Sequence, residues 1–315
     1  MALQIAIGVS ACLLGEKVRY DGGHKHDRYI TGTLGTFFRL VPVCPEVECG
    51  MPIPREAMRL VGSPENPRLI TVRSGVDKTG QMLEFSERKV RELEREKLSG
   101  FIFKKNSPSS GLYRVKVYQD GQPARNGSGL FAAAVVRHFP LLPVEEEGRL
   151  NDPQLRENFL ERVFAFHRWN CFLADKPEAG KLVAFHTAHK LLMMAHSPAI
   201  YREMGKVVAA AGKNAGADLF TAYGELLMRG LALHATPKKN ANVLMHIMGY
   251  FKKQLSAVEK AELLAIIDQY RNRLVPLIVP ITLLRHYVMK YEQHYLQGQV
   301  YLSPHPAELM LRNHV

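Results

Sequence analysis

Val43-Cys44-Pro45-Glu46-Val47-Glu48-Cys49-Gly50 is the stretch around which the 315-residue chain is arranged. Two of the four cysteines stand here, five residues apart, with two carboxylates between them. Pro45 fixes φ and removes a backbone donor, and Gly50 permits a turn that a side chain would block. The apolar run 37–43 leads in and reads as a buried strand. The cysteines therefore fall at the C-terminal end of a strand, where open α/β sheets place their sites. Cys12 follows a second apolar run, 3–9, in the same way. Thiols brought by two strand ends to one sheet edge make a soft metal site, and Cys-x4-Cys is a spacing that iron–sulfur centres use. The competing reading is buried thiols acting as small hydrophobes.

Working outward, residues 1–145 alternate strand-like and helix-like stretches. Residues 69–72 suggest a further strand. Residues 85–98 read as a helix with Ser86 as N-cap, supported by i,i+4 charge pairs and ended by Gly100. Phe101-Ile102-Phe103 is a third buried strand, running into Lys104-Lys105-Asn106-Ser107-Pro108-Ser109-Ser110-Gly111. This alternation predicts a parallel sheet with both faces covered. Residues 143–153 are acidic and Pro-bounded, and read as a linker. Beyond Leu155 the apolar spacing becomes helical, with no strand alternation, and the Pro-rich stretch 301–315 is expected to wrap a surface. The expectation is an α/β N-terminal domain with a mostly parallel sheet, residues 1–147, followed by an all-α C-terminal domain, residues 148–315.

The net charge is +12, of which residues 1–150 supply +5 and residues 151–315 supply +7. Such an excess favours a polyanionic partner. No apolar run approaches the ~20 residues that span a bilayer, and the N-terminus lacks the basic region of a signal peptide. Four cysteines in a chain this long are no disulfide framework, so the expected compartment is the reducing cytoplasm.

Five ordered motifs carry a family likeness: Ser-Ala-Cys-Leu-Leu-Gly (10–15), Val-Arg-Tyr-Asp-Gly-Gly (18–23), Cys-Pro-Glu-Val (44–47), Pro-x-Pro-Arg (52–55) and Asn-Ser-Pro-Ser-x-Gly (106–111). They resemble the thiouracil desulfidase family over roughly residues 5–135. Residues 185–198, 242–252 and 276–284 resemble the domain fused to it in two-domain members that desulfidate 4-thiouridine in tRNA. The resemblance implies a 4Fe–4S cluster held by three cysteines, with one iron open to the substrate's sulfur. It also implies hydrolysis to uridine and hydrogen sulfide without net redox change. One position departs from the pattern: much of the family has a ligating cysteine where this chain has Ser110. The matched ligands are Cys12 and Cys44, and Cys49 is the expected replacement for the third. A thiol ionises on a metal far more readily than a serine hydroxyl. Cys171, beside Trp169, is expected in a helical core.

Hydrolysis of a thiocarbonyl needs a base for the attacking water and a donor for the leaving sulfur. Glu46 is expected as base, with Glu48 as runner-up. Ser107 is expected as donor, held extended by Pro108. Ser10, Arg19, Asp21, Ser109 and Ser110 are expected at the substrate, with His24 and Lys25 near its phosphate or ribose. In the helical half, Lys190, Lys238, Lys239, Lys252 and Lys253 are expected to meet tRNA phosphates, with Tyr250 and Phe251 available for stacking. His186, His189 and His196 share a helix face, but without a His-Glu-x-x-His pattern they read as core or RNA-facing rather than metal-binding. Neither a membrane partner nor an oligomeric state is indicated.

Overall fold

The computed structural model describes residues 5–211 and 216–314. Residues 3 and 4, at the start of the first expected strand, and Val315 lie outside them. The chain forms two compact units, Met1–Asp152 and Pro153–Val315.

Among the described residues the first unit contains eight strands: β1 (Ala6–Ser10), β2 (Arg39–Val43), β3 (Met58–Val61), β4 (Arg68–Thr71), β5 (Leu98–Phe103), β6 (Val115–Gln119), β7 (Gln122–Gly127) and β8 (Val144–Glu146). Its helices are α1 (Gly35–Phe37), α2 (Pro45–Glu48), α3 (Thr79–Glu94) and α4 (Leu130–His138). The central sheet runs β2-β1-β5-β8, with every pairing parallel. β1 and β5 are buried along their whole length, as strands covered on both faces must be. Gly8 allows their close approach: a Cβ there would stand 2.2 Å from the Phe101 ring. Because β1 sits inside the sheet with β2 on one side and β5 on the other, strand order reverses beside it. The crevice beyond the C-terminal ends of β1, β2 and β5 is the switch point where such sheets bind ligands.

A second sheet, β4-β3-β6-β7, is mixed: β3 pairs parallel with β6, while the β3/β4 and β6/β7 pairs are antiparallel. The sequence reading finds only β4 of these strands.

Four local expectations need correction. The helix expected over 85–98 begins at Thr79 and ends at Glu94. Ser86 is a buried mid-helix residue that donates to the Met82 carbonyl, not a cap. Lys97, at φ 51°, reverses the chain, and Gly100 lies inside β5. The supposed linker 143–153 includes β8, and Glu145, Glu146 and Glu147 are all buried. Their carboxylates are spent on protein donors: Glu146 accepts from the Leu112 and Tyr113 N–H groups, and Glu147 from Lys104 Nζ and the Lys105 N–H.

The second unit is helical: α5 (Pro153–Ala174), α6 (Ala179–His196), α7 (Pro198–Ala210), α8 (Ala217–Ala232), α9 (Pro237–Gly249), α10 (Ala257–Arg271), α11 (Ile278–Lys290) and α12 (His294–Gln297). Pro198 and Pro237 each occupy a first helical turn behind a Ser197 or Thr236 cap. Buried Glu161 bonds His196 at 2.7 Å and Arg312 at 3.0 Å, so the C-terminal stretch is fastened into the core rather than laid over it. No described helix is long and apolar enough to cross a membrane.

Candidate active site

The ends of β1, β2 and β5 each turn one piece of chain toward a single pocket of about 390 Å³. After β1 comes a 3-10 turn, Ala11–Leu14, which puts Cys12 on the wall. After β2, Cys44 precedes α2, whose first turn carries Pro45 and Glu46. After β5 comes the serine loop. Its backbone is anchored by α4, because the N–H groups of Phe131 and Ala132 both donate to the Ser109 carbonyl. Gly129 is required at that anchor, since a Cβ would meet the Ser109 backbone at 2.4 Å. Ser10 joins two of the strand ends by accepting from the Lys104 N–H at 2.9 Å.

Among the expected residues, Ser10, Cys12, Arg19, Cys44, Glu46, Ser107 and Ser110 all line the pocket. Ser109 is buried behind the wall and donates from its hydroxyl to Glu46 Oε1. Its oxygen is 2.9 Å from Ser107 Oγ. Ser107 Oγ also accepts from the N–H groups of Ser109 and Ser110, at 3.3 and 3.2 Å, and because the one Ser109 hydroxyl proton goes to Glu46, Ser107 is the donor in its contact with Ser109. Glu46, Ser109 and Ser107 thus form one hydrogen-bonded chain that begins and ends on the pocket wall. Glu48 faces elsewhere: it accepts from the Cys44 N–H at 2.7 Å and pairs with Lys89 at 2.7 Å. Asp21 is exposed and closes a turn onto the Gly23 N–H.

Cys12 and Cys44 are free thiols. Burial pushes Cys12 up to about 11, with Lys104 opposing it. Burial and then the Glu46 carboxylate push Cys44 up to about 12. Cys44 Sγ lies 3.6 Å from Glu46 Oε2. Cys49 is half-buried and absent from the wall, and its Sγ donates to the Glu46 carbonyl at 3.2 Å. Cys171, expected in the core, is exposed, 3.5 Å from His167. No group of three His, Cys, Asp or Glu side chains is assembled to hold a metal among the described residues. The donor set therefore fits a soft, thiolate-held centre at two positions, Cys12 and Cys44, and the wall offers a serine at the third.

Arg55, Lys25, Lys104 and Lys105 also line the pocket, with Arg19 adding a fifth cation against the single carboxylate of Glu46. Arg55 donates to the Val18 carbonyl at 3.0 Å and stands 3.8 Å from Glu46 Oε2. Its role is missed in the sequence reading, although the Pro-x-Pro-Arg motif contains it. Lys104 is fixed by Glu147 at 2.5 Å.

In the helical unit, Lys238, Lys252 and Lys253 are exposed and Lys190 half-buried. Lys239 is used within the fold, donating to the carbonyls of His196 and His234. Phe251 is fully buried and cannot stack on a ligand, whereas Tyr250 is exposed. His186, His189 and His196 are all buried, each with its own protein partner.

Comparison with known proteins places this geometry. Residues 7–147 match the family model described as 2-thiouracil desulfurase, and residues 190–306 match DUF1722, a family of unknown function. The uncharacterized protein YbgA of Escherichia coli (strain K12) is 32% identical over 165 residues, spanning 52% of this chain and 98% of the relative. The uncharacterized protein YbbK of Bacillus subtilis (strain 168) is 32% identical over 149 residues, spanning 46% of this chain and 97% of the relative. A solved structure of the [4Fe-4S]-dependent thiouracil desulfidase TudS has 30% identity and a TM-score of 0.38, covering 47% of this chain and 94% of that one. Through its first unit, the chain belongs to the thiouracil desulfidase family.

Proposed function

We propose that the chain is an iron–sulfur-dependent, non-redox desulfidase acting on 4-thiouridine in tRNA. The observation that supports it is the convergence of two buried thiols with the Glu46–Ser109–Ser107 chain on one pocket. Cys12 and Cys44 would hold a 4Fe–4S cluster with Cys49 as third donor, which would have to give up its hydrogen bond to the Glu46 carbonyl. A thiol there is a softer donor than the Ser110 hydroxyl. When bound, the cluster supplies a soft Lewis acid for a thiocarbonyl sulfur.

The protein groups manage the protons. Glu46 takes one from the attacking water as oxygen bonds to C4 of the base. The hydroxyl now on C4 gives up its own proton to Glu46 as the C4–sulfur bond breaks, and both water protons reach the departing sulfur in turn, relayed from Glu46 through Ser109 and Ser107. The balance is water plus thiocarbonyl giving carbonyl plus hydrogen sulfide, with no electrons exchanged. Arg19, Lys25 and Lys105 supply the positive rim that a nucleotide phosphate needs. The exposed Lys238, Lys252 and Lys253, with Lys190, give the helical unit its share of the tRNA contact. A free thiouracil base is the second reading, favoured by the family description, but it would leave that rim without an anion.

The test uses anaerobically purified protein, expected to absorb near ~400 nm. It is incubated with thiolated tRNA and, separately, with free thiouracil. Loss of 4-thiouridine absorbance from tRNA, with sulfide released, is expected. Sulfide from the free base alone would assign the second reading.

A further inference from the structure

On and beside the second sheet lies an array of cations that, Lys105 apart, stand outside the cysteine-lined pocket. Beyond the pocket wall at Met58, Asn106 and Pro108 opens a hollow of about 300 Å³, floored by β3, β6 and β7. It shares Asn106 and Arg125 with a third hollow of about 440 Å³. The three form one continuous groove along the first unit. Arg59, Lys105, Arg114, Lys116 and Arg125 line the two outer hollows. None of the five makes an ion pair among the described residues. Glu146 is the one carboxylate on these walls, and its Oε1 is already engaged by the Leu112 and Tyr113 N–H groups.

Two details suit this surface to an anion. Lys116 and Arg125 stand directly opposite each other across the β6/β7 ladder. Like charges in that relation destabilise a sheet, so the pair costs the fold something unless a ligand neutralises it. Arg59 lies over the Tyr118 ring at 5.0 Å, and its Nε is buried without a hydrogen-bond partner. A guanidinium held on an aromatic face keeps its outer nitrogens available for a phosphate.

We infer that this groove is the track for the sugar-phosphate backbone of an RNA strand whose thiolated base enters the cysteine-lined pocket. The inference rests on the tRNA reading of the site and locates the backbone on the first unit itself. A strand threading all three hollows meets cations in each of them and a tyrosine face beside them, the combination used for single-stranded nucleic acid. A free base would fill only the first hollow.

The experiment compares the full-length wild type with Lys116→Glu and Arg125→Glu, neither of which lines the cysteine pocket. Affinity for thiolated tRNA is measured across a salt series, alongside sulfide release from free 4-thiouracil and thermal stability. Each variant should bind tRNA about tenfold more weakly and show a salt slope shallower by about 0.7–0.9. Turnover of the free base should be unchanged. Lys116→Glu should also raise the melting temperature, because it turns a like-charge cross-strand pair into an opposite-charge one. Wild-type affinity and slope in both variants would overturn the groove, as would tighter binding of an acidic peptide than of tRNA. If the wild type binds tRNA through these residues yet leaves its 4-thiouridine intact, the groove stands and the substrate reading fails.

Discussion

The carboxylate of Glu46, in the first turn of α2, accepts the hydroxyl proton of Ser109, 63 residues further along the chain. This bond joins the end of β2 to the loop after β5 and turns a base and a distant hydroxyl into one proton path. Ser109→Ala should lower the turnover number by about 10²–10³ while leaving iron content unchanged. Glu46→Gln should do the same, and the double variant should be little worse than either single one, because groups acting as a unit are not additive. Rapid-quench measurement of sulfide release checks this. Multiplicative losses would show that the two act independently.

Much of this site could be read from residue order, and the reason is local. β1, β2 and β5 are apolar runs that stop abruptly at Ser10, Cys44 and Lys104, so the strand ends identify themselves. The serine loop follows directly from the third. What stayed hidden depends on partners distant in sequence. Glu145 to Glu147 look like solvated linker until the N–H groups 33 to 42 residues upstream that bind Glu146 and Glu147 are known. β7, Gln-Pro-Ala-Arg-Asn-Gly, has one buried residue and no apolar alternation, because it is an edge strand. The sequence reading puts Ser109 at the substrate, whereas its hydroxyl donates to Glu46. Arg55 belonged to a motif whose chemistry is plain only once Val18 and Glu46 lie beside it.

The thiols should differ sharply in reactivity before metal is loaded. With Cys12 near about 11 and Cys44 near about 12, roughly one part in 10⁴ or less of either is ionised at pH 7. The thiolate is the nucleophile, so iodoacetamide should label exposed Cys171 first and leave these two largely untouched. Labelling of Cys12 and Cys44 should accelerate as pH climbs from 8 toward about 10. Peptide mass spectrometry of the metal-free protein reads this directly. Equal labelling of Cys44 and Cys171 at pH 7 would contradict it.

Acid should loosen the helical unit through Glu161. Burial alone would raise this carboxyl, but the hydrogen bond from His196 and the charges of His196 and Arg312 hold it down at about 2. A folded value below the unfolded one stabilises fully above about 4.5 and is lost as pH falls toward about 2. Trp169, the only tryptophan, is buried in this unit and reports its unfolding by fluorescence. Glu161→Gln should melt lower at pH 7, since it strands a buried arginine, yet its midpoint should fall less between pH 5 and pH 3 than that of the wild type. Parallel pH profiles would remove Glu161 from the account.

The third donor to the cluster separates two side chains that the fold treats differently. Ser110 stands on the pocket wall at the position where the family resemblance implies a ligating cysteine, and it is 3% exposed. Cys49 stands one helical turn beyond Cys44, with its thiol raised by burial and then by Glu46, and it is turned toward a carbonyl. Position favours the serine, whereas donor chemistry favours the thiol: an alkoxide is a hard ligand and forms only from a hydroxyl far harder to ionise. Chemistry should win, because a single hydrogen bond from Sγ, worth about 1 kcal/mol, is little to surrender against an iron–thiolate bond. Cys49→Ala should therefore lose most of its iron and its absorbance, while Ser110→Ala and Cys171→Ala keep both. Ser110→Cys added to Cys49→Ala should restore the iron by returning a thiol to the wall. Iron and sulfide analysis of the four anaerobically reconstituted proteins decides it. Full iron in Cys49→Ala, with loss in Ser110→Ala, would give the third corner to the serine.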